Sequence, residues 1–230
     1  MNTQLKVCIV GSNHQYDRMF KDMGWLLVDN IEQADLVQFT GGEDVTPSLY
    51  GEEDHRRTGY NTYRDDVESA IFARCRKLNK PVAGICRGGQ FLNVMCGGKL
   101  FQDVDGHAIR GTHELVDVET GALVQVTSTH HQMMRVGPEG LLVAYAGEST
   151  YREHMDGHTV VNKPRGDGDQ DVEVVFYPAQ LALCFQPHPE YGYDECRDYY
   201  FNVQVTRNAA AYDTVRQFQV TATGDSVSAV

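Results

Sequence analysis

Residues 81–90 of the chain read Pro81-Val-Ala-Gly-Ile-Cys86-Arg-Gly-Gly-Gln90. A short apolar run ends at Cys86 and a helical pattern follows from Gly88 to Cys96, so the stretch predicts a strand, a sharp turn and a helix. Cys86 is then placed at the carboxyl end of a sheet strand and at a helix N-terminus, where the dipole and free N–H groups favour a thiolate. The stretch therefore predicts a nucleophilic cysteine. A lone Gly-x-Cys-x-Gly is equally compatible with a buried core cysteine beside chance glycines.

The same alternation of strand and helix continues on the N-terminal side of this turn. Apolar runs that end at glycine predict strands over Leu5–Val10 and Asp35–Thr40, with a further short strand over Trp25–Val28. Amphipathic spacing predicts helices over Tyr16–Met23 and Arg64–Leu78. Strands that alternate with helices in this rhythm indicate an α/β fold with a mostly parallel central sheet flanked by helices.

The second half of the chain shows paired strands instead. Glu114–Val118 and Ala122–Thr127 are predicted to form an antiparallel pair, and so are Asp171–Tyr177 and Leu181–Phe185. These pairs are expected to add antiparallel strands to the sheet. Residues 148–168 are rich in glycine and charge, which favours solvated turns over a segment that closes on a binding pocket.

No internal repeat or low-complexity linker divides the 230 residues. A helix is predicted from Tyr193 to about Ala211, and the final residues are small and polar. We therefore expect a single domain over residues 1–212 and a C-terminal polar tail over residues 213–230.

A candidate base lies in the stretch Phe185-Gln-Pro-His188-Pro-Glu190. His188 follows a predicted strand, so it also lies at a sheet edge, and the flanking prolines restrict its backbone. A cysteine nucleophile needs such a base to take up its proton and to protonate the leaving amine. Glu190 is two residues further on, where an extended segment lets its carboxylate hold the tautomer of the imidazole. Alone, His188 is better explained as an exposed histidine in a turn; beside the predicted nucleophile, a catalytic role is the better interpretation.

Composition restricts the classes of partner. The formal net charge of −12 repels phosphate backbones, so direct binding of nucleic acid through a broad surface is not expected. No apolar run approaches the roughly 20 residues that span a bilayer, and the N-terminal residues favour a first strand over a signal peptide. Six scattered cysteines without a CxxC pair favour reduced thiols in the cytoplasm.

Four blocks of sequence together resemble the class I glutamine amidotransferases, and more narrowly their γ-glutamyl-γ-aminobutyrate hydrolase-like branch. The resemblance extends from Lys6 to about Ala211. Thr40 departs from it, since many relatives have proline before Gly41, a change expected to alter loop stiffness more than chemistry. The blocks are Gly41-Gly-Glu-Asp-Val-Thr-Pro47 with Tyr50-Gly51, Arg64-Asp65 with Glu68, Gly84-Ile-Cys-Arg-Gly-Gly-Gln90 with Leu92-Asn93 and Gly97-Gly98, and Ser128-Thr-His-His-Gln132 with His188-Pro-Glu190.

The resemblance implies a flavodoxin-like fold and a Cys-His-Glu triad. Cys86 would attack a γ-carbonyl, His188 would act as the base, and Glu190 would orient it. The backbone N–H groups of Gly42 and Arg87 would stabilise the resulting oxyanion, the first in a glycine loop that can approach closely and the second at the start of a helix.

The resemblance also implies substrate-binding residues. Similar proteins hold the amino-acid end of the substrate with the glutamine equivalent to Gln90 and with the backbone beside His130, a role that extends to Thr129 and His131. No cofactor is implied. A metal cluster at His130 and His131 is not expected, because adjacent histidines point opposite ways in an extended chain and no third ligand has suitable spacing.

These observations favour a free-standing hydrolase of the γ-amide of glutamine or a γ-glutamyl amine, which forms a γ-glutamyl thioester with a small-molecule substrate. The alternative is a glutaminase subunit that supplies ammonia to a separate synthetase or nucleotide-modifying partner, with identical catalytic residues. The intact Cys86, His188 and Glu190 argue against an idle scaffold or binding member. The paired histidine and glutamate argue against a redox or chaperone thiol protein.

Overall fold

Within the residues that the computed structural model describes, 4–11, 13–204 and 207, the stretch 81–90 lies near the centre of a nine-stranded sheet. Short 3-10 turns occur at Ile31–Gln33, Pro47–Tyr50, Pro178–Gln180 and Pro189–Tyr191. The helices are α1 (His14–Asp22), α2 (Thr62–Lys77), α3 (Arg87–Met95) and α4 (residues 194–204). The strands are β1 (Lys6–Val10), β2 (Leu26–Leu27), β3 (Leu36–Phe39), β4 (Val82–Ile85), β5 (Lys99–Phe101), β6 (Asp103–Val104), β7 (Ala108–Asp117), β8 (Leu123–Thr129), β9 (Met133–Arg135), β10 (Leu141–Ala146), β11 (Tyr151–Asp156), β12 (Thr159–Pro164), β13 (Asp171–Tyr177) and β14 (Ala182–Phe185).

The large sheet has two halves that differ in strand direction. Its order is β2-β1-β3-β4-β14-β13-β10-β7-β8. Strands β2, β1, β3, β4 and β14 pair in parallel and form what we call the parallel half. Strands β13, β10, β7 and β8 pair antiparallel and form the antiparallel half, which joins the first where β13 pairs with β14. The predicted α/β fold, with a helix-flanked sheet and antiparallel strands added by the second half, is confirmed.

Helices cover both faces of the parallel half. Successive residues of a strand point to opposite faces, and Val7 and Cys8 of β1 accordingly belong to two different hydrophobic clusters. On one face α1 and α4 pack through Phe20 and Phe201, whose ring centroids are 5.3 Å apart. On the other face α3 contributes Phe91. Burial on both faces explains why the parallel strands are nearly continuous apolar runs in the sequence.

The elements predicted around Cys86 are confirmed, with ends that differ by two residues or fewer. The predicted pair in the second half is also present, although β7 begins at Ala108 instead of Glu114. Its early part contains a register shift between Ala108 and Gly111. A bulge of this kind interrupts the strict alternation by which strands are predicted, so the sequence pattern starts later than the strand.

The prediction of solvated turns over residues 148–168 is wrong. Strands β11 and β12 form a hairpin there, with a regular register from Tyr151 opposite Pro164 to Asp156 opposite Thr159. β12 is largely exposed, so it lacks the apolar alternation that marks a half-buried strand. The prediction also lacks β10, an apolar run between two glycines in the antiparallel half.

The C-terminal predictions extend beyond the described residues. Of the helix predicted from Tyr193 to about Ala211, residues 194–204 and 207 are helical, and Tyr193 immediately precedes the helix. The other residues lie outside the described residues, as does the predicted tail over 213–230. No helix in the part of the chain that the structure describes is long and apolar enough to cross a bilayer.

Candidate active site

Cys86 lies on a strained turn between β4 and α3. Its φ of 52° and ψ of −115° are seldom adopted by residues other than glycine. Its N–H donates to the carbonyl of Phe185 at 2.8 Å, and its own carbonyl accepts from the N–H of Gln90 at 2.9 Å. Such a conformation persists only where the surroundings hold it. The turn therefore fixes the cysteine at the carboxyl edge of the parallel half.

Glycines make this turn sterically feasible. A Cβ on Gly84 would lie 2.2 Å from the carbonyl carbon of Gly88, and one on Gly88 would lie 2.5 Å from the carbonyl oxygen of Phe39. A Cβ on Gly89 would lie 2.8 Å from the backbone nitrogen of Phe185. These backbone atoms cannot yield without moving a strand or a helix. The sequence Gly-x-Cys-x-Gly-Gly is thus required by the close approach of α3 to the sheet.

His188 and Glu190 approach Cys86 from the end of β14. Nδ1 of His188 is 2.6 Å from Oε1 of Glu190, and the ring of Tyr191 stacks on the imidazole with centroids 4.4 Å apart. Glu190 lies in a 3-10 turn and not in the predicted extended segment, but its carboxylate reaches the imidazole as predicted. Burial lowers the pKa of His188, yet the charges and hydrogen bonds of Cys86 and Glu190 together raise it well above its ordinary value. An imidazole that is held by a carboxylate beside a cysteine can exchange a proton with a nucleophile and its leaving group.

The loop after β3 brings two glycines to the same point. A Cβ on Gly41 would lie 3.3 Å from Cε1 of His188 and 3.7 Å from Cβ of Cys86. The N–H of Gly41 donates to the hydroxyl of Tyr16 at 2.9 Å. Gly42 has a φ of +149°, and among the described residues its N–H has no acceptor. The loop therefore presents one backbone donor beside the cysteine that the fold does not use.

A buried set of ion pairs supports both the glycine loop and the start of α3. The guanidinium of Arg87 is buried and pairs with Asp65 and Glu68. Glu68 also accepts from Nε of Arg64 at 2.8 Å, and Arg64 donates to the carbonyl of Gly41 at 3.1 Å. Removing one member would leave an uncompensated buried charge. These side chains therefore hold the turn at Cys86 and the loop at Gly41 and Gly42 in one arrangement.

A cavity of about 330 Å³ opens beside Cys86. It brings together most of the site residues predicted from sequence, from both halves of the chain. Acidic and basic side chains both reach it, which suits a ligand that carries both charges. Its lining consists of Gly42, Glu43, Asp44, Arg57, Gly59, Cys86, Arg87, Gln90, Thr129, His130, His131 and Gln132.

The predicted substrate-binding residues differ in how they reach this cavity. Nε2 of Gln90 donates to the carbonyl of Gln132 at 3.1 Å, which ties α3 to the segment after β8. His131 is more than a third exposed, with Nε2 3.1 Å from Oδ1 of Asp44. The imidazole of His130 is buried, and its Nδ1–H donates to the carbonyl of Gln132 at 2.9 Å. Only the main chain of His130 is therefore left to bind a ligand in the cavity.

Comparison with known proteins identifies the family. The family described as Peptidase C26 matches residues 24–190, well over half of the chain. The chain belongs to the Peptidase C26 family. This Peptidase C26 protein is 32% identical over 190 residues to the glutamine amidotransferase-like protein YvdE of Lactococcus lactis subsp. lactis (strain IL1403), a match that covers 75% of this chain and 77% of that one. The resemblance to class I glutamine amidotransferases is thus confirmed, and family membership supports a hydrolase.

Two solved structures share the fold of this Peptidase C26 protein. A glutamine amidotransferase from Thermotoga maritima superimposes with a TM-score of 0.58 at 14% identity, over 98% of this chain and 87% of that one. The Trypanosoma brucei CTPS glutaminase domain with bound acivicin gives a TM-score of 0.52 at 12% identity, over 91% and 94%. At these identities the likeness establishes the fold alone.

Several residues at the site were not predicted from sequence. Tyr16 fixes the glycine loop, the side chain of Arg87 anchors α3, and Arg57 lines the cavity. Oγ1 of Thr127 in β8 accepts the N–H of His188 at 2.6 Å and so positions the imidazole from the antiparallel half. The block of Arg64-Asp65 and Glu68 could have indicated the ion pairs of Arg87, because it contains both acidic partners. No sequence pattern marks Tyr16 in α1 or Thr127 in β8.

Proposed function

We propose that this Peptidase C26 protein hydrolyses the γ-amide of glutamine or of a γ-glutamyl amine through a γ-glutamyl thioester on Cys86. The observation that carries the proposal is the position of Cys86, on its strained turn, beside the imidazole of His188, whose Nδ1 lies 2.6 Å from Glu190. A thiolate beside an imidazolium and an orienting carboxylate is activated for attack on a carbonyl carbon.

The proposed reaction has two halves. The sulfur of Cys86 attacks the γ-carbonyl carbon, and the carbonyl electron pair moves onto oxygen. His188 gives its proton to the leaving nitrogen, the C–N bond breaks, and ammonia or an amine departs. His188 then takes a proton from water, whose oxygen attacks the thioester carbon. The C–S bond breaks, glutamate is released, and the free cysteine is restored.

Two backbone donors are proposed to stabilise the oxyanion. The N–H of Gly42 has no acceptor among the described residues, and it belongs to a loop that contacts the cysteine. Arg87 is the first residue of α3, so its N–H has no acceptor within the helix. Donors that are fixed before the reaction stabilise the developing charge without reorganisation.

The cavity offers charges of both signs for a glutamyl group. The hydrogen bond with Asp44 raises the pKa of His131, and Arg57 is a second cation in the lining. We assign these two to the α-carboxylate of the substrate, and Glu43 with Asp44 to its α-ammonium group. Because such contacts are made equally in the ground state and the transition state, His131→Gln is expected to raise KM and to change kcat little.

Gln90, Thr129 and the main chain of His130 complete the proposed binding surface. All three line the cavity beside Cys86. Gln90 is already held by Gln132 and Gln186, each at 3.1 Å, so it is positioned before a ligand arrives.

The test is release of glutamate from glutamine and from a panel of γ-glutamyl amines by the purified full-length chain. Cys86→Ala is expected to abolish turnover, while Cys96→Ala is the matched control. Cys96 is also a partly buried thiol, but it caps the opposite end of α3. Retained turnover in Cys86→Ala, with a normal circular dichroism spectrum, would refute the proposed nucleophile.

The fold shared with the CTPS glutaminase domain supports a second candidate, a glutaminase subunit that supplies ammonia to a separate synthetase. The two candidates differ in whether the chain is active alone. Turnover of a γ-glutamyl amine by the isolated chain supports the free hydrolase. No turnover of the panel, combined with alkylation of Cys86 by the glutamine analogue acivicin, supports the ammonia-supplying subunit.

A further inference from the structure

Three buried histidines surround one buried carboxylate behind the Ser128–Gln132 segment. His107 immediately precedes β7, His113 lies within β7, and His130 follows β8. Glu173 lies on β13 in the same half of the sheet. All four side chains are almost completely buried. The proposed reaction uses none of the four imidazole and carboxylate groups, so the cluster needs a separate explanation.

Three nitrogen–oxygen distances in this cluster match those between neighbouring ligands of a tetrahedral metal site. Nδ1 of His107 and Nε2 of His113 are each 3.3 Å from Oε1 of Glu173, and Nε2 of His130 is 3.4 Å from the same oxygen. The donor atoms of His107, His113 and Glu173 all lie within 4.8 Å of one another. Zinc binds such ligands at about 2.0–2.1 Å, and tetrahedral geometry then separates neighbouring ligand atoms by about 3.3–3.4 Å.

Hydrogen bonds to the opposite ring nitrogens orient two of the histidines. Nε2 of His107 is 3.0 Å from Oδ2 of Asp171, and Nδ1 of His130 is 2.9 Å from the carbonyl of Gln132. Asp171 is itself held by Ser149, whose N–H and hydroxyl each donate to it at 2.6 Å. Metal-binding histidines characteristically use their second nitrogen in this way, which points the first towards the ion.

The atoms that face one another lack hydrogen-bond partners. Within the described part of the chain, this holds for Nδ1 of His107, Nε2 of His113, Nε2 of His130 and both carboxylate oxygens of Glu173. A buried carboxylate without hydrogen bonds costs several kcal/mol unless a charge compensates it. The convergence of four groups without well-formed hydrogen bonds on one point is the arrangement expected around a shared cation.

A cation would also compensate the charge of the cluster. Glu173 and Asp171 are both fully buried, and the nearest described arginine, Arg152, is 3.8 Å from Asp171 and also pairs with Asp169 at the surface side. A divalent ion bound by neutral histidines would neutralise the two carboxylates. Three nitrogen ligands and one oxygen ligand in tetrahedral geometry are typical of zinc, whereas magnesium and calcium prefer six or more oxygens.

We propose that His107 Nδ1, His113 Nε2, His130 Nε2 and Glu173 Oε1 bind a structural Zn²⁺ ion. With His130 as the fourth ligand the tetrahedron would be full, so no open position would remain for substrate. It joins β7, β8 and β13, and through His130 it anchors the segment that carries His131 to the cavity. Sequence spacing did not predict the metal, because its ligands lie in or next to three different strands and are far apart in the chain.

The test is the metal content of the tag-free full-length chain, produced in zinc-supplemented medium and purified without chelator. Inductively coupled plasma mass spectrometry should find about one zinc per chain. Replacement by Co²⁺ should give the intense visible absorption bands of tetrahedral cobalt. His113→Gln should lower zinc content at least about tenfold, whereas the control His158→Gln, at an exposed histidine of β11–β12, should not change it.

The outcome of the metal analysis does not depend on whether the protein hydrolyses an amide. If His113→Gln does not fold, the wild-type chain still tests the proposal: a strong chelator should lower its Tm, and added zinc should restore it. Less than about a tenth of an equivalent of zinc, both as purified and after refolding with zinc, would overturn the proposal. Full zinc content in a folded His113→Gln variant would also overturn it, because the ion would then lie elsewhere.

Discussion

The two halves of the sheet contribute to the site by different means. The parallel half supplies groups whose positions follow from local backbone geometry: the strained turn of Cys86 and the glycine loop at Gly41 and Gly42. The antiparallel half supplies side chains whose positions follow from strand register, such as Thr127 and the histidine cluster. The parallel half therefore holds the proposed nucleophile, and the antiparallel half positions the proposed base and binding surface around it.

The largest expected effect concerns Glu190, which belongs to the junction of the two halves. Glu190→Gln should keep the fold but lower kcat by about 10³- to 10⁴-fold, because the amide favours the wrong tautomer of His188. The measurement is steady-state glutamate release on the preferred substrate. Glu139→Gln, at an exposed glutamate, is the control. A loss of less than tenfold would show that the carboxylate does not orient the base.

The next effect compares glycines from the two halves. Gly84→Ala should destabilise the protein by about 3 kcal/mol or more, because its Cβ would lie 2.2 Å from the backbone of Gly88. Gly111→Ala in β7 should have little effect, since its nearest neighbour atom is 3.8 Å away. Urea unfolding of both variants measures the difference. Equal stabilities would contradict the conclusion that steric demand is concentrated at the nucleophile turn.

A smaller effect tests how the antiparallel half positions the base. Thr127→Val removes the hydroxyl that accepts the N–H of His188 at 2.6 Å, which leaves a buried donor unsatisfied. We expect a loss of about 1–3 kcal/mol in the free energy of unfolding, together with a lower kcat. Thr127→Ser retains the hydroxyl and should behave as the wild type in kcat. If both variants had the same kcat, the hydrogen bond would have no part in positioning His188.

The smallest effect is a change in the titration of His188. Burial lowers its pKa, and Cys86 is the largest of the influences that raise it, so the pKa should fall in Cys86→Ala. The favourable interaction is present below the pKa of the unfolded chain and is lost as pH rises through the folded pKa. Nuclear magnetic resonance of the imidazole measures this directly, with Cys96→Ala as the control. An unchanged pKa would mean that the sulfur and the imidazole do not interact.

Prediction from sequence succeeded where the pattern reflects local geometry. The turn at Cys86, the elements around it and the reach of Glu190 to His188 were all predicted. It failed at the hairpin of residues 148–168, because an exposed strand leaves no apolar alternation in the sequence. It also gave no sign that the imidazole of His130 is buried beside Glu173.

The sequence by itself determined the parallel half and its turn at Cys86. Gly84 is demanded by its close approach to Gly88, four residues further on, and a constraint of this kind is visible in a single stretch of chain. Only the tertiary structure decided which side chains meet across the antiparallel half. His107 and Glu173 are 66 residues apart, and their contact depends on the register of β7, β10 and β13. A shift of one residue would turn each side chain to the other face, so no local pattern can encode that contact.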